Sequence, residues 1–214
     1  MRCPFDPDHI VLAIESAISG GSISLQTNGR EIANWIGSSN VSKAEDLLAN
    51  IDDILTSAGV LRRDIDLIAV SAGPGSFTGI RIGLATALGF KTGLGIKLSS
   101  QSALKAIAAE CSARGDIIIA VPVGRNSVCV QKFNIDIAKC KPLDEPHTLT
   151  DDDFFDLVGD ERYSSLVLHS ALFERVEPAA NIINFGSNIA YAIGQLCSNT
   201  PDNVIEPLFI SKSF

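Results

Sequence analysis

Long apolar runs are missing from this chain. Nowhere in its 214 residues do 18 apolar residues follow one another, so no membrane-spanning helix is expected. The opening MRCPFDPDHIVLAIES sets no basic region before a long apolar stretch, and Phe5, Pro7 and Asp8 interrupt it. No signal peptide is expected. Histidine is scarce: His9, His147 and His169 stand far apart, with no H-x-x-x-H and no H-E-x-x-H. A paired helical zinc site is therefore excluded, no metal is expected, and each histidine reads as structural or solvated. The five cysteines (Cys3, Cys111, Cys129, Cys140 and Cys197) are odd in number, widely spaced and without C-x-x-C. That pattern fits reduced thiols in a cytoplasmic protein, buried as small hydrophobes, better than a disulfide framework. Positive charge is also short, with 17 Lys and Arg against 25 Asp and Glu, a net charge of −8. Such a surface repels phosphate backbones, so strong direct nucleic-acid binding is not expected, while a basic partner protein fits the charge. Low-complexity segments and short-period repeats are absent as well.

What is present suits a folded core: 46% hydrophobic and 20% charged residues, in a length fitting one large domain or two small ones. HIVLAIES (9 to 16) reads as a buried strand, and GGSISLQTNGREIANWIG (20 to 37) as two strands joined at Asn28-Gly29. In SKAEDLLANIDDILTSAG, Ala44, Leu47, Leu48, Ile51, Leu55 and Ala58 follow helical spacing. Ser42 and Glu45 form a capping box there and Gly59 supplies the stop. Then come a strand at DLIAVSA, a glycine-rich helix, a strand near GIKLSS and a helix over 101 to 113. A second group holds strands at DIIIAVPV, SVCVQKFNI and SSLVLHS, and helices at DDDFFDLVG and NIAYAIGQLCS. In DDDF the aspartates read as the favoured start of a helix capped by Thr150, not as a cation site. The order describes two small α/β lobes with mixed sheets and flanking helices, 1–112 and 113–214.

The most distinctive stretch is AVSAGPGSFTGIRIGLATALGFKTGLG, residues 69 to 95. Its GPGSFTG resembles a nucleophile elbow but has Pro74 where the elbow needs glycine, and no P-loop lysine follows. A strand-to-helix turn remains, with Gly73, Gly75, Ser76, Phe77, Thr78 and Gly79. The N–H groups of Ser76 to Gly79 would point outward there and suit an anion, or the turn is structural. Beyond the turn, each interior glycine costs a helix about 1 kcal/mol relative to alanine. On a helical wheel Gly79, Gly83 and Ala87 share one side, and Ala85, Gly89 and Gly93 an adjacent one. Small residues four apart let two backbones approach closely. The neighbour is either the chain's own sheet and first helix or another subunit.

SAGPGSFTGIRIGLATALGF is very similar to the signature of the TsaB family, also called YeaZ. VLAIESAISGGSISL resembles that family's opening strand, AEDLLANIDDIL its first helix, and IEPLFISKSF a worn form of its Pro-x-Tyr-Leu-Arg ending. The resemblance implies an actin-like fold of the sugar-kinase and Hsp70 type (ASKHA, RNase H-like), with two related lobes. It implies a non-catalytic subunit of bacterial tRNA modification. The paralogous TsaD subunit would transfer a threonylcarbamoyl group to N6 of an adenosine, and a TsaE-type ATPase would join the complex. Three departures stand out. Lys43-Ala44 replaces His-Ser or His-Ala, Pro122 replaces an aspartate with Arg125 nearby, and Phe209 and Ser211 replace tyrosine and arginine.

The resemblance and the residues together lead to a scaffold that pairs with a TsaD-type subunit through its first two helices. The residues expected at that interface are Leu47, Leu48, Ile51, Leu55, Gly79, Gly83 and Ala87; without the partner, the same surface could homodimerise. Actin-like kinases hold magnesium with carboxylates on their phosphate turns. Here the first turn has Glu15 and the second, SAGPGS, has none. A degenerate nucleotide site without metal or cofactor is expected. The alternatives are a nucleotide-binding phosphotransferase of the same superfold and, more remotely, a peptidase with Ser76 as nucleophile.

Overall fold

The computed structural model describes residues 9–18, 20–38, 46–124, 126–136, 140–159, 165–199 and 207–208. Ser42, Lys43, Ala44, Glu45, Arg125, Phe209 and Ser211 lie outside the described residues, and so does the capping box.

The first sheet begins with β1 (Ile10–Glu15), followed by β2 (Ser22–Thr27) and β3 (Arg30–Ile36). The turn between β2 and β3 is the expected one, with φ 53° at Asn28 and 71° at Gly29. Helix α1 (Leu47–Ala58) ends at Gly59, which takes φ 67° and donates its N–H back to Thr56 O. β4 (Leu67–Ser71), α2 (Phe77–Leu94), β5 (Lys97–Gln101) and α3 (Ala103–Glu110) complete the first half. The strand order is β3-β2-β1-β4-β5, with β1, β4 and β5 parallel and β2 and β3 antiparallel.

The second half runs through β6 (Gly115–Pro122), β7 (Ser127–Ile135), β8 (Cys140–Pro142), β9 (His147–Thr150) and α4 (Asp151–Val158). It continues with β10 (Ser165–His169), α5 (Ser170–Phe173), β11 (Ile182–Gly186) and α6 (Ile189–Asn199). Its sheet has the order β11-β10-β6-β7-β8, with β9 also on β7. Both sheets thus place their first strand between an antiparallel second strand and a parallel later one, β4 in the first sheet and β10 in the second. This is the actin-like repeat. Thr150 caps α4 as expected, its Oγ1 accepting the Asp153 N–H at 3.2 Å. β8, β9, β11 and α5 are additions to the sequence expectation.

Five layers result. Leu12, Ile14, Ile23, Leu25, Ile68 and Val70 of the first sheet face α1 and α2. Its other face packs on α6 and α3, with Val11, Ala13, Leu67 and Ala69 against Ile189, Ile193 and Leu104. The same central layer meets Ile117, Ile119 and Phe133 of the second sheet. Phe154 of α4 and Leu172 of α5 cover the far side. The last described helix, α6, therefore sits on the sheet made by the first half. It is held there by polar contacts too: Ala190 N donates to Ser22 Oγ at 2.9 Å and Gln26 Nε2 to Tyr191 O at 3.0 Å. The bonds buried in this seam offset the cost of desolvating Ser22 and Gln26.

Candidate functional site

The β4–α2 turn is closed against its own chain. Ser76 N donates to Ala17 O at 2.7 Å, and Ser76 Oγ accepts the Gly79 N–H at 3.4 Å as the N-cap of α2. Two of the N–H groups that an anion would use are therefore engaged. Glycine is required here by close approach. A Cβ on Gly75 would lie 2.5 Å from Ala17 O, on Gly79 2.2 Å from Ser16 O, and on Gly83 2.4 Å from Ser16 Oγ. Ser16 Oγ in turn donates to Gly79 O at 2.9 Å. On the other flank Leu208 N donates to Ala72 O at 2.7 Å, and a Cβ on Gly73, at φ 102°, would lie 2.8 Å from Leu208 O. Phe77 and Thr78, at the outer edge of the turn, are exposed.

Glu15, at the end of β1, is 2% exposed. Its Oε1 accepts the N–H of Ala17 at 2.6 Å and of Ile18 at 2.9 Å. Burial pushes its carboxyl up to about 7, against the lowering effect of those two bonds. This carboxylate ties down the loop that α2 packs on. Among the described residues no histidine hydrogen-bonds to Ser76, whose Oγ instead caps α2. No group of three or more His, Cys, Asp and Glu among the described residues is placed to hold a metal. A separate open cleft of about 580 Å³ is lined by Arg30, Glu31, Glu110, Phe185 and Tyr191 among others. Glu31 is occupied there, accepting from Ser24 Oγ at 2.6 Å, Asn34 Nδ2 at 2.6 Å and Asn188 Nδ2 at 2.8 Å.

The expected interface residues divide. Leu47, Ile51 and Leu55 are buried in the chain's own core beneath α1, and Ala87 beneath α2. Gly79 and Gly83 face the Ser16–Ala17 loop. Only Leu48, 57% exposed, looks outward. The physical reason is that the apolar stripe of an amphipathic helix is the one its own sheet needs. The second small stripe behaves differently. Ala85, Gly89 and Gly93 are exposed, and a Cβ on Gly89 or Gly93 would meet no described residue within 4 Å. Leu88 and Phe77 are exposed beside them. Arg81 lies over the Phe77 ring, with Cζ 3.7 Å from the ring centre. The sequence reading passed over Leu88 and Arg81. Their signal was available, since Arg81 and Lys91 are the only charged residues of α2.

Comparison with known proteins gives this geometry a family. The model of the family TsaD, tRNA N6-adenosine threonylcarbamoyltransferase, matches residues 40–207. The tRNA threonylcarbamoyladenosine biosynthesis protein TsaB of Escherichia coli (strain K12) is 34% identical over 98 residues, 46% of this chain and 42% of that protein. Its namesake from Haemophilus influenzae is 29% identical over 122 residues, 55% of this chain and 51% of that protein. The chain thus matches about half the length of these curated relatives. The structure of YeaZ from Pseudomonas aeruginosa superposes with a TM-score of 0.67 at 18% identity, over 94% of this chain and 100% of that one. At that identity the likeness is one of fold. The chain belongs to the family of the threonylcarbamoyltransferase model, within its TsaB (YeaZ) proteins.

Proposed function

We propose that the chain is a non-catalytic subunit of tRNA threonylcarbamoyladenosine biosynthesis, docking a TsaD-type subunit through the outer faces of α1 and α2. The observation that carries this reading is the exposed stripe Ala85, Gly89 and Gly93, flanked by Leu88, with Leu48 outward on α1. Helices α1 and α2 cover the same face of one sheet. The exposed glycines make no contact with the described residues that would require them, yet each costs the helix about 1 kcal/mol relative to alanine. A helix from another subunit would use the space they leave. A TsaE-type ATPase joins this assembly, and the work is done in the cytoplasm, where tRNA is modified. The chain itself turns over no nucleotide. Glu15 Oε1 is spent on two backbone N–H groups, and the β4–α2 turn brings no carboxylate for a metal. Sustained hydrolysis of ATP with magnesium by the isolated chain would contradict this.

The test is gel filtration of the chain with the TsaD-type subunit of the same organism, wild type against Gly89→Leu. The account expects co-elution for the wild type and separate peaks for the variant, whose own melting temperature is not lowered. Co-elution of the variant to the same extent would contradict the docking role of α2. Gly83→Leu does not serve, because its side chain would strike Ser16 and disturb the fold.

A further inference from the structure

The cleft of about 580 Å³ opens beside α3 and α6, on the side of the first sheet away from α1 and α2. Its size is that of a small-molecule site. Glu31, Phe185, Asn188 and Tyr191 form its half-buried wall, and Arg30 and Glu110 its exposed mouth. Both halves of the chain set the position of Glu31. Its Oε1 accepts from Ser24 Oγ and Asn188 Nδ2, and its Oε2 from Asn34 Nδ2. Asn188 is fixed in turn, its Oδ1 accepting the Tyr191 N–H at 3.2 Å. The three donors to Glu31 are neutral, so none cancels the charge of the carboxylate. A carboxylate has about four acceptor positions, which leaves one on Oε2 for a further donor. Burial, and then the charges of Glu110 and Glu31, push the Tyr191 hydroxyl above its ordinary value, so both carboxylates act on the space before that hydroxyl. At the mouth, the side chains of Arg30 and Glu110 have no ion-pair or hydrogen-bond partner among the described residues, one another included. The neighbouring cations do not fill the cleft: Arg114 is held by the carbonyl oxygens of Cys111 at 3.3 Å and Ala113 at 2.7 Å, and the charge of Lys105 acts on Cys140. Strand β11 and helix α6 bring no charged residue. The lining therefore carries two carboxylates and one guanidinium.

We infer that this cleft binds a small basic α-amino acid, its side-chain cation seated between Glu31 and the rings of Phe185 and Tyr191, its α-carboxylate on Arg30 and its α-ammonium on Glu110. A cation is favoured where a carboxylate and aromatic rings line the same wall. The planar guanidinium of Arg30 suits a carboxylate through two parallel N–H···O bonds. A ligand with two cationic groups and one anionic group balances the charges of the lining. A plain amine leaves Arg30 unanswered, and a neutral or acidic amino acid leaves Glu31 so. Asn188 is a positioning residue, since it holds Glu31 and the first turn of α6 together. The inference is independent of the docking role of α1 and α2, which lie on the opposite face of the sheet.

The experiment is a nuclear magnetic resonance titration of the isotope-labelled full chain, read from its backbone amide shifts. The probes are L-lysine, L-norleucine, which lacks the side-chain cation, and cadaverine, which lacks the carboxylate, each to about 20 mM at constant ionic strength. The expected result is saturable binding of L-lysine, with shifts centred on residues 29–31 and 185–191. L-norleucine and cadaverine should bind about 10-fold more weakly or less, because each leaves a charged group of the site unmatched. Arg30→Gln should weaken L-lysine by about 10-fold and leave cadaverine unchanged, whereas Glu110→Gln should weaken both. A merely structural role for Arg30 would not separate the two probes. Both side chains are exposed, so unchanged melting curves are expected for the variants. Should a variant melt early, the three wild-type titrations decide alone. No saturation with L-lysine, shifts centred elsewhere, or L-norleucine bound as tightly as L-lysine would overturn the inference. So would stable Arg30→Gln and Glu110→Gln variants that bind L-lysine like the wild type.

Discussion

In the first half of the chain β1, β2, β3, α1, β4, α2, β5 and α3 follow one another; in the second, β6, β7, β8 with β9, α4, β10, α5, β11 and α6. The corresponding elements are spent differently. Helix α2 has 18 residues and its counterpart α5 has 4. Helix α1 begins without an acidic first turn, whereas α4 opens on Asp151, Asp152 and Asp153. Each half also buries one titratable group at a strand end to cap a turn. Glu15 does so in the first, and His169, 3% exposed, in the second, its Nδ1 accepting the Ala171 N–H at 3.2 Å. The difference teaches where contact with another protein fits. Among the described residues, only the first half turns a long, almost uncharged helical face outward: in the second half the counterpart of α2 is one turn long, α4 opens on three aspartates, and the uncharged α6 is buried against the first sheet.

The largest effects separate the two faces of α2. Gly79→Ala would drive a Cβ to 2.2 Å from the Ser16 carbonyl oxygen. It should cost about 3 kcal/mol in chemical denaturation. Gly89→Ala, with open space around it, should stabilise the isolated chain by about 1 kcal/mol. Equal effects at the two positions would erase the distinction between inner and outer stripes.

Next in size is the pH response of the two buried caps. Burial raises Glu15 from 4.5 to about 7, so its stabilisation is complete below pH 4.5 and is lost as pH rises toward 7. Burial lowers His169 from 6.5 to about 4, so its stabilisation is present above pH 6.5 and is lost as pH falls toward 4. Each amounts to about 3 kcal/mol over its window, at 1.36 kcal/mol for each unit. Between pH 4.5 and 6.5 the two slopes oppose one another. Glu15→Gln should therefore leave a stability that rises with pH across that interval, and His169→Gln one that falls. Parallel curves for both variants and the wild type would show that the two halves are not balanced in this way.

The smallest effects concern the ion pair that ties the first helix of each half to a later segment. Asp151–Arg175, at 2.7 Å, is largely covered, and Arg175 also lies over the Phe155 ring at 5.6 Å. Arg62–Asp52 is open to solvent, with side chains 54% and 47% exposed. Arg175→Ala should cost about 1 kcal/mol, and Arg62→Ala should leave the melting curve close to that of the wild type. The reverse order would contradict the view that burial decides the strength of these pairs.

The apolar runs of β1, β4, β6 and β10 and the Asn28-Gly29 turn were legible because each carries its own local signal. β8, with Cys-Lys-Pro, and β9, with His-Thr-Leu-Thr, were not, because short half-exposed strands owe their place to β7 and not to pattern. The four-residue α5 lacks the length for helical periodicity. The glycine stripes were visible, but not which one faced inward. Both are small, so hydrophobic patterning does not choose between them. The choice is made by Ser16 and Ala17, which approach Gly75, Gly79 and Gly83 from about 60 residues away along the chain, a contact that local sequence does not announce.

Amide hydrogen exchange of the full chain, with and without the TsaD-type subunit of the same organism, tests the docking role of the first half most directly. The account predicts slowed exchange in α1 and α2, between residues 47 and 94, with α4 and α5 unchanged. Slowing confined to α4 and α5, or none anywhere under conditions where the two proteins co-elute, would contradict it.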